Sequence, residues 1–377
     1  ERVSLPVSAA PRLRSVDALR GATVAAMVLV NNPGTWSHVY APLRHAEWHG
    51  FTPTDAIFPF FLFIVGAAIP LALGPRLEAG AEGVVGRVVR RSVVIFALGL
   101  LLHAQPFFEL STLRIPGVLQ RIAVCYLLAA LLFVLGGGAR GWRLHAIVAA
   151  GLLVGYWLLM TRVAAPGHAA GDLSPAGNLS GYVDRLILGP RHIWKLSPWY
   201  DPEGIVSTLP ATATTLLGVL AGDWLRAARP ASRLLAGLVA GGAAAAALGW
   251  LWGLSFPVNK SLWTSSYALL MSGLAALALA LCYWVVEVRG ARRWAGPFVL
   301  FGVTALPLFF LSTAMARLLL LVRVGPEQTR LHAWLYAHLF APWAEPVNAS
   351  LAFALAYLLL WWVLMWLLER TGLRLRV

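Results

Sequence analysis

The chain has 377 residues, 59% hydrophobic and only 12% charged, with a mean hydropathy of +0.73, where water-soluble domains carry about 25% charged residues. The net charge of +14 would suit nucleic acid. The arginines, however, are spread between apolar runs and form no aromatic-laced basic patch, so nucleic-acid binding is excluded. Those runs are continuous and rich in Leu, Ala and Val, which excludes the alternating segments of an outer-membrane barrel.

Apolar runs near span length occur at about 16–34, 54–74, 88–104, 117–136, 142–162, 205–225, 231–253, 263–287, 297–321 and 348–368. The expected fold is an all-α polytopic membrane protein, a single bundle of about ten transmembrane helices over 14–370. Short tails at 1–13 and 371–377 flank it, and the 17 Trp suit interfacial anchoring. Residues 331–343 are apolar but short and end at Pro342; they read as an interfacial helix, and counting them would give eleven spans. With ten spans and a cytoplasmic N-terminus, 18 of the 30 basic residues fall in inner segments and 9 in outer ones, and Arg20, Arg121 and Arg317 lie within spans. This bias predicts cytoplasmic termini. The largest outer loop is 163–204, rich in Gly and Pro and too long for a plain connector.

Ionisable groups at membrane depth are costly, and a span that carries them usually has work for them. In chain order the first are Asp17 and Arg20, three apart on one helix face, either a structural ion pair or a charged lining of a ligand channel. Asn31 and Asn32 end the first run before Pro33 and Gly34, as helix stops or as inward hydrogen-bond donors. The connector holds His45, Glu47, Trp48 and His49. Histidine is the residue type most often used as a general base, which makes His45 a candidate for that part. His45 and His49 are four apart, but HAEWH lacks the Glu of a helical zinc motif and a third ligand, so no metal is expected.

Thr52 or Thr54 caps the start of the second run with Asp55 in its first turn, and Asp55 is also a candidate to orient the imidazole of His45. Arg121 sits one turn inside the fourth run, either snorkelling outward or binding an anion. The sixth run follows Asp201 and Glu203, which read as caps or as partners of a polyol, and Pro210 predicts a kink within it. Asn259 and Lys260, followed by hydroxyls, form a plausible anion cradle before the eighth run. Cys125 and Cys282 both lie in apolar runs, which excludes a disulfide framework.

The pieces RSVDALRG, VNNPG, HAEWHGFTPTDAIFPFFLFIVG, RIPGVLQRIAVCY, DPEGIVSTLPA and PVNKSLWTSSYALLMSG occur in order along the chain. In these the chain resembles the bacterial branch of the heparan-α-glucosaminide N-acetyltransferase family. The resemblance implies acetyl transfer from acetyl-CoA to the amine of glucosamine or a glucosaminide within the bacterial inner membrane. It places the catalytic histidine on His45 and the active-site Asn on Asn31, with Asp55 in support. Asp17, Arg20, Asn32, Glu47, Trp48, Arg121, Asp201, Glu203, Asn259, Lys260 and Trp263 are then candidates for binding the sugar or the CoA. A homodimer is a further implication. The alternative is an amino-sugar permease without catalysis, to which broken helices at Pro59, Pro210 and Pro307 would also be suited.

Overall fold

Each of the ten apolar runs is helical in the computed structural model, which describes residues 13–371. Nearly all of the two expected tails, with Arg2, Arg12, Arg374 and Arg376, therefore lies outside the described residues. The helices are α1 (Arg14–Val30), α2 (Pro53–Glu78), α3 (Val84–Ala104), α4 (Val118–Leu135), α5 (Trp142–Arg162), α6 (Leu179–Leu188), α7 (Thr208–Arg226), α8 (Ala231–Trp252), α9 (Ser265–Tyr283), α10 (Arg292–Val303), α11 (Ala305–Leu321), α12 (Leu331–Leu339) and α13 (Pro346–Arg370). A two-stranded ribbon, β1 (Arg323–Val324) and β2 (Thr329–Arg330), leads into α12.

Among the described residues, six helices are long and apolar enough to cross a membrane: α2, α4, α5, α8, α9 and α13. A seventh span is formed if α10 and α11 count as one. In the apolar stretches of α2, α4 and α9, 56% of the residues are buried, against 28% or less in α5, α8 and α13. The first three therefore form the interior and the last three the outer shell of the bundle. Of the other predicted spans, α1 has 17 residues, α3 carries Arg87, Arg90 and Arg91 near its start, and α7 is rich in Thr, Ala and Gly.

The run at 297–321 was expected to be one span, but it breaks at Thr304 and the two halves are bent by 70°. Pro307 is the third residue of α11, where its missing N–H is one of the unsatisfied donors of any helix start. Pro210 is likewise the third residue of α7, so the predicted internal kink is absent. Pro59 lies inside α2, which continues past it. The short segment 331–343 holds only the nine-residue α12.

Small residues bring the inner helices together, as in membrane bundles generally. A Cβ on Gly66 would strike the Thr215 carbonyl, and one on Gly218 would strike the Phe63 carbonyl. Helices α2 and α7 thus touch backbone to backbone, and α9 packs beside both. The starts of α2, α4, α7 and α9 gather at one end of the bundle, together with the connector 31–52 and the long loop 163–204.

Candidate active site

Asp55 is the third residue of α2 and is 1% exposed. One carboxylate oxygen accepts from the backbone N–H of Thr52 at 3.0 Å and of Ala46 at 2.9 Å. The other lies 2.6 Å from Nδ1 of His45. The hydroxyl of Tyr267 on α9 donates to the Asp55 carbonyl at 2.6 Å. The connector is thereby tied to the helix start through one side chain.

Lys260 reaches the same pair from the loop before α9. Its Nζ is 3.4 Å from Asp55 Oδ1, 2.9 Å from His45 Nδ1 and 3.3 Å from His45 Nε2. Nδ1 has a single hydrogen-bonding site. A carboxylate at 2.6 Å requires a proton between the two atoms, so Nδ1–H donates to Asp55 and Nε2 carries the lone pair. His45 is half exposed, its side chain at 49%, so that nitrogen is open to a substrate. Burial draws the Lys260 ammonium below the usual lysine range, against the opposing pull of Asp55 and Glu203.

The loop that presents Lys260 is built stiffly. Asn259 is buried, and its side-chain oxygen accepts from Leu262 N–H at 2.8 Å. Gly50 N–H donates to Val258 O at 2.7 Å, which joins this loop to the histidine connector. Trp263 adopts φ +50, an uncommon conformation for a bulky residue, and its indole N–H donates to Thr214 at 3.2 Å. Asn259 and Trp263 thus shape the turn, and Lys260 is the member that faces the pair.

Trp48 donates from its indole to Leu173 O at 2.9 Å and packs edge-on against Tyr200 at 4.9 Å, which ties the connector to the long loop. Arg114 binds Asp201 with two nitrogens, at 2.8 and 2.6 Å, and Glu203 at 2.6 Å. Asp201 is buried and bound by this clamp, so its part is to order the loop before α7 and not to meet a polyol. Burial pushes the Glu203 carboxyl upward, but Arg114, Arg121 and Lys260 together hold it below the usual range. Arg121 does not snorkel. It is 2% exposed, donates to Gly204 O at 3.1 Å and Ser207 Oγ at 2.5 Å, and lies 5.1 Å from the ring centre of Trp263.

Among the described residues, other candidates make no hydrogen bond to the pair. Asn31 is the exposed residue after α1, and Asn32 donates to Val28 O at 2.7 Å as a helix stop. Glu47 is exposed and makes no hydrogen bond among the described residues. Asp17 and Arg20 pair at 2.9 Å near the start of α1, at the opposite end of the bundle. Arg114 and Tyr267 were not singled out. Both lie inside quoted motifs, but their roles depend on partners 87 and 212 positions away.

A cavity of about 920 Å³ opens at that opposite end. Arg20, Arg76, Arg87, Arg90, Arg91 and Arg226 line its mouth, and Asp17 is the acidic residue among them. Its walls are apolar and reach Met27, Phe61, Val118 and Leu119. Asp55 and Arg76 are separated along α2 by about 32 Å, whereas Phe61 is only about 9 Å along the helix from Asp55. The cavity therefore runs from a basic end to within about two turns of Asp55 along α2, and His45, Asp55 and Lys260 are not among its lining residues.

Residues 12–251 match the family described as heparan-alpha-glucosaminide N-acetyltransferase, catalytic. The chain belongs to that family. It is 32% identical over 356 aligned residues to human heparan-alpha-glucosaminide N-acetyltransferase, covering 78% of this chain and 52% of the human protein. The mouse enzyme of the same name is 30% identical over 359 residues, 79% of this chain and 53% of its own. The chain thus spans about half the length of these acetyltransferase relatives. The family match takes in His45, Asp55, Arg114 and Glu203, while Lys260 and Tyr267 lie beyond its end.

Proposed function

We propose that the chain is a membrane-embedded acetyltransferase that moves an acetyl group from acetyl-CoA to the amine of glucosamine or a glucosaminide. The observation that carries this reading is the His45–Asp55 pair at one end of the bundle, with an apolar cavity lined by six arginines entering from the other end. A CoA-type donor has polyanionic phosphates at one end and a thioester on a long slender arm. Fixed guanidinium groups suit the phosphates, and an apolar passage suits the arm. His45 Nε2 takes the proton of the acceptor amine, directly or after holding the acetyl group itself. Asp55 keeps the imidazole in the tautomer that leaves Nε2 free. Asn31, whose side chain bonds nothing among the described residues, is the proposed donor to the oxyanion.

The proposed topology has ten spans, counting α1, α3, α7 and the bent α10–α11 pair. The bundle covers 14–370, with both termini cytoplasmic in a bacterial inner membrane and the loop 163–204 outside. The basic mouth then faces the cytoplasm, where acetyl-CoA is found, and His45 faces the other side, where the sugar enters.

Acetyl-CoA turnover by the purified protein, with and without glucosamine, tests this. Glucosamine-dependent CoA release is expected, falling about a hundredfold or more in a folded His45→Ala variant. Full activity in that variant would overturn the role of His45. Sugar uptake into liposomes without acetyl-CoA, and no CoA release, would make the protein a permease.

A further inference from the structure

An acceptor amine in an acetyltransferase has to stand within hydrogen-bond reach of the base that takes its proton. One amine of this chain stands against that base, over the face of the His45 ring. Lys260 Nζ is 3.3 Å from His45 Nε2 and 2.9 Å from Nδ1, with Asp55 as counter-ion at 3.4 Å. Only two of the 30 basic side chains are lysines, Lys195 and Lys260, so nearly all other cations of the molecule are guanidinium groups that accept no acetyl group under these conditions. The position is held in place by the Gly50–Val258 backbone bond and by the Asn259 and Trp263 turn, so the amine does not merely sweep past. The ionisable groups that face it are His45 from the connector, Asp55 from α2 and Glu203 from the loop before α7.

We infer that Lys260 is a self-acetylation site, modified when an acetyl thioester occupies the site and no acceptor amine does. The inference rests on the acetyltransferase reading above. The Lys260 ammonium gives a proton to His45, and the neutral amine attacks the thioester carbonyl. A C–N bond forms, the C–S bond breaks, and of the two protons left on the attacking nitrogen one goes to the thiolate to give CoA thiol and the other stays on the amide. Burial of Nζ favours the neutral amine that this step needs. The product is a stable amide, uncharged and longer by one acetyl group. It removes the cation opposite Asp55 and fills the place an acceptor would take. A sugar amine competes for that place, so the modification is a brake that engages when donor is present without acceptor.

The test is peptide mass spectrometry of the detergent-purified protein after incubation with acetyl-CoA, with and without glucosamine. CoA release and sugar product are followed in the same samples. Acetylation of Lys260 is expected, with Lys195, exposed in the outer loop, at the chemical background. Added glucosamine lowers labelling of Lys260, and His45→Ala slows it about a hundredfold. If sugar product forms while Lys260 stays unmodified, or if Lys195 is labelled equally, the self-acetylation is wrong and the acetyltransferase reading stands. If neither sugar product nor modified Lys260 forms, both fall. The Lys195 comparison is internal to the wild-type protein and does not depend on a variant folding.

Discussion

Asp184 shows how far a single side chain can depart from its usual chemistry in the outer loop. It is fully buried on α6 and accepts from Ile205 N–H at 2.8 Å, while its second oxygen has no partner among the described residues. Burial, reinforced by the neighbouring Asp201, raises its carboxyl to about 7, against the pull of its hydrogen bonds and Arg121. The folded state therefore holds a proton that the unfolded chain releases near 3.8. Stability attributable to this group is undiminished below the unfolded value and declines as pH rises from about 4 to about 7. Asp184→Asn should flatten that decline, read as the melting temperature in detergent across this pH range. A variant that melts with the wild-type pH profile would show that Asp184 does not carry it. At this scale His45 and Asp55 were legible, because they lie ten residues apart in one motif. The Arg114 clamp was not, since its partners stand 87 and 89 positions away on a loop without periodicity. Lys260 was legible as a candidate, but its contact with a histidine 215 positions distant was not.

The helices themselves were the legible part of the fold, because an apolar run of near-span length has few other structures open to it. What escaped was their continuity. The break at Thr304 arises from Pro307 inside a run that hydropathy reads as unbroken, whereas the same residue type at Pro59 interrupts nothing. The contact of α2 with α7 makes a sharper statement. Because Gly218 abuts the Phe63 carbonyl, Gly218→Val forces backbone apart and not merely side chain aside. It should cost about 3 kcal/mol, the upper end of overpacking effects, and lower the yield of monodisperse protein. An unchanged melting temperature would mean that the two helices can separate without loss.

At the scale of the whole molecule, the proposed function assigns donor recognition to the arginine-lined cavity and chemistry to the His45 end of the bundle. The arginines at its mouth lie far from His45, so removing them should weaken donor binding equally in the ground and transition states. The double substitution of Arg90 and Arg91 by Ala is expected to raise KM for acetyl-CoA about tenfold with kcat nearly unchanged, and to blunt its salt dependence. A loss confined to kcat would place these residues elsewhere in the cycle. The basic segments between the apolar runs were readable from charge placement alone. That their arginines converge on one opening was not, since convergence depends on how α1, α2, α3 and α7 are arranged.

Asp55 joins the two halves of this protein's economy, since the carboxylate that orients His45 also satisfies the backbone at the start of α2. A substitution at His45 should reduce specific activity while leaving the amount of folded protein intact. Asp55→Ala should reduce both, since losing a helix cap alone costs about 1 kcal/mol. Measuring membrane abundance beside turnover separates the two effects. A survey of variants scored by total activity would rank Asp55 above His45 in importance, although only His45 is proposed to touch the reacting nitrogen.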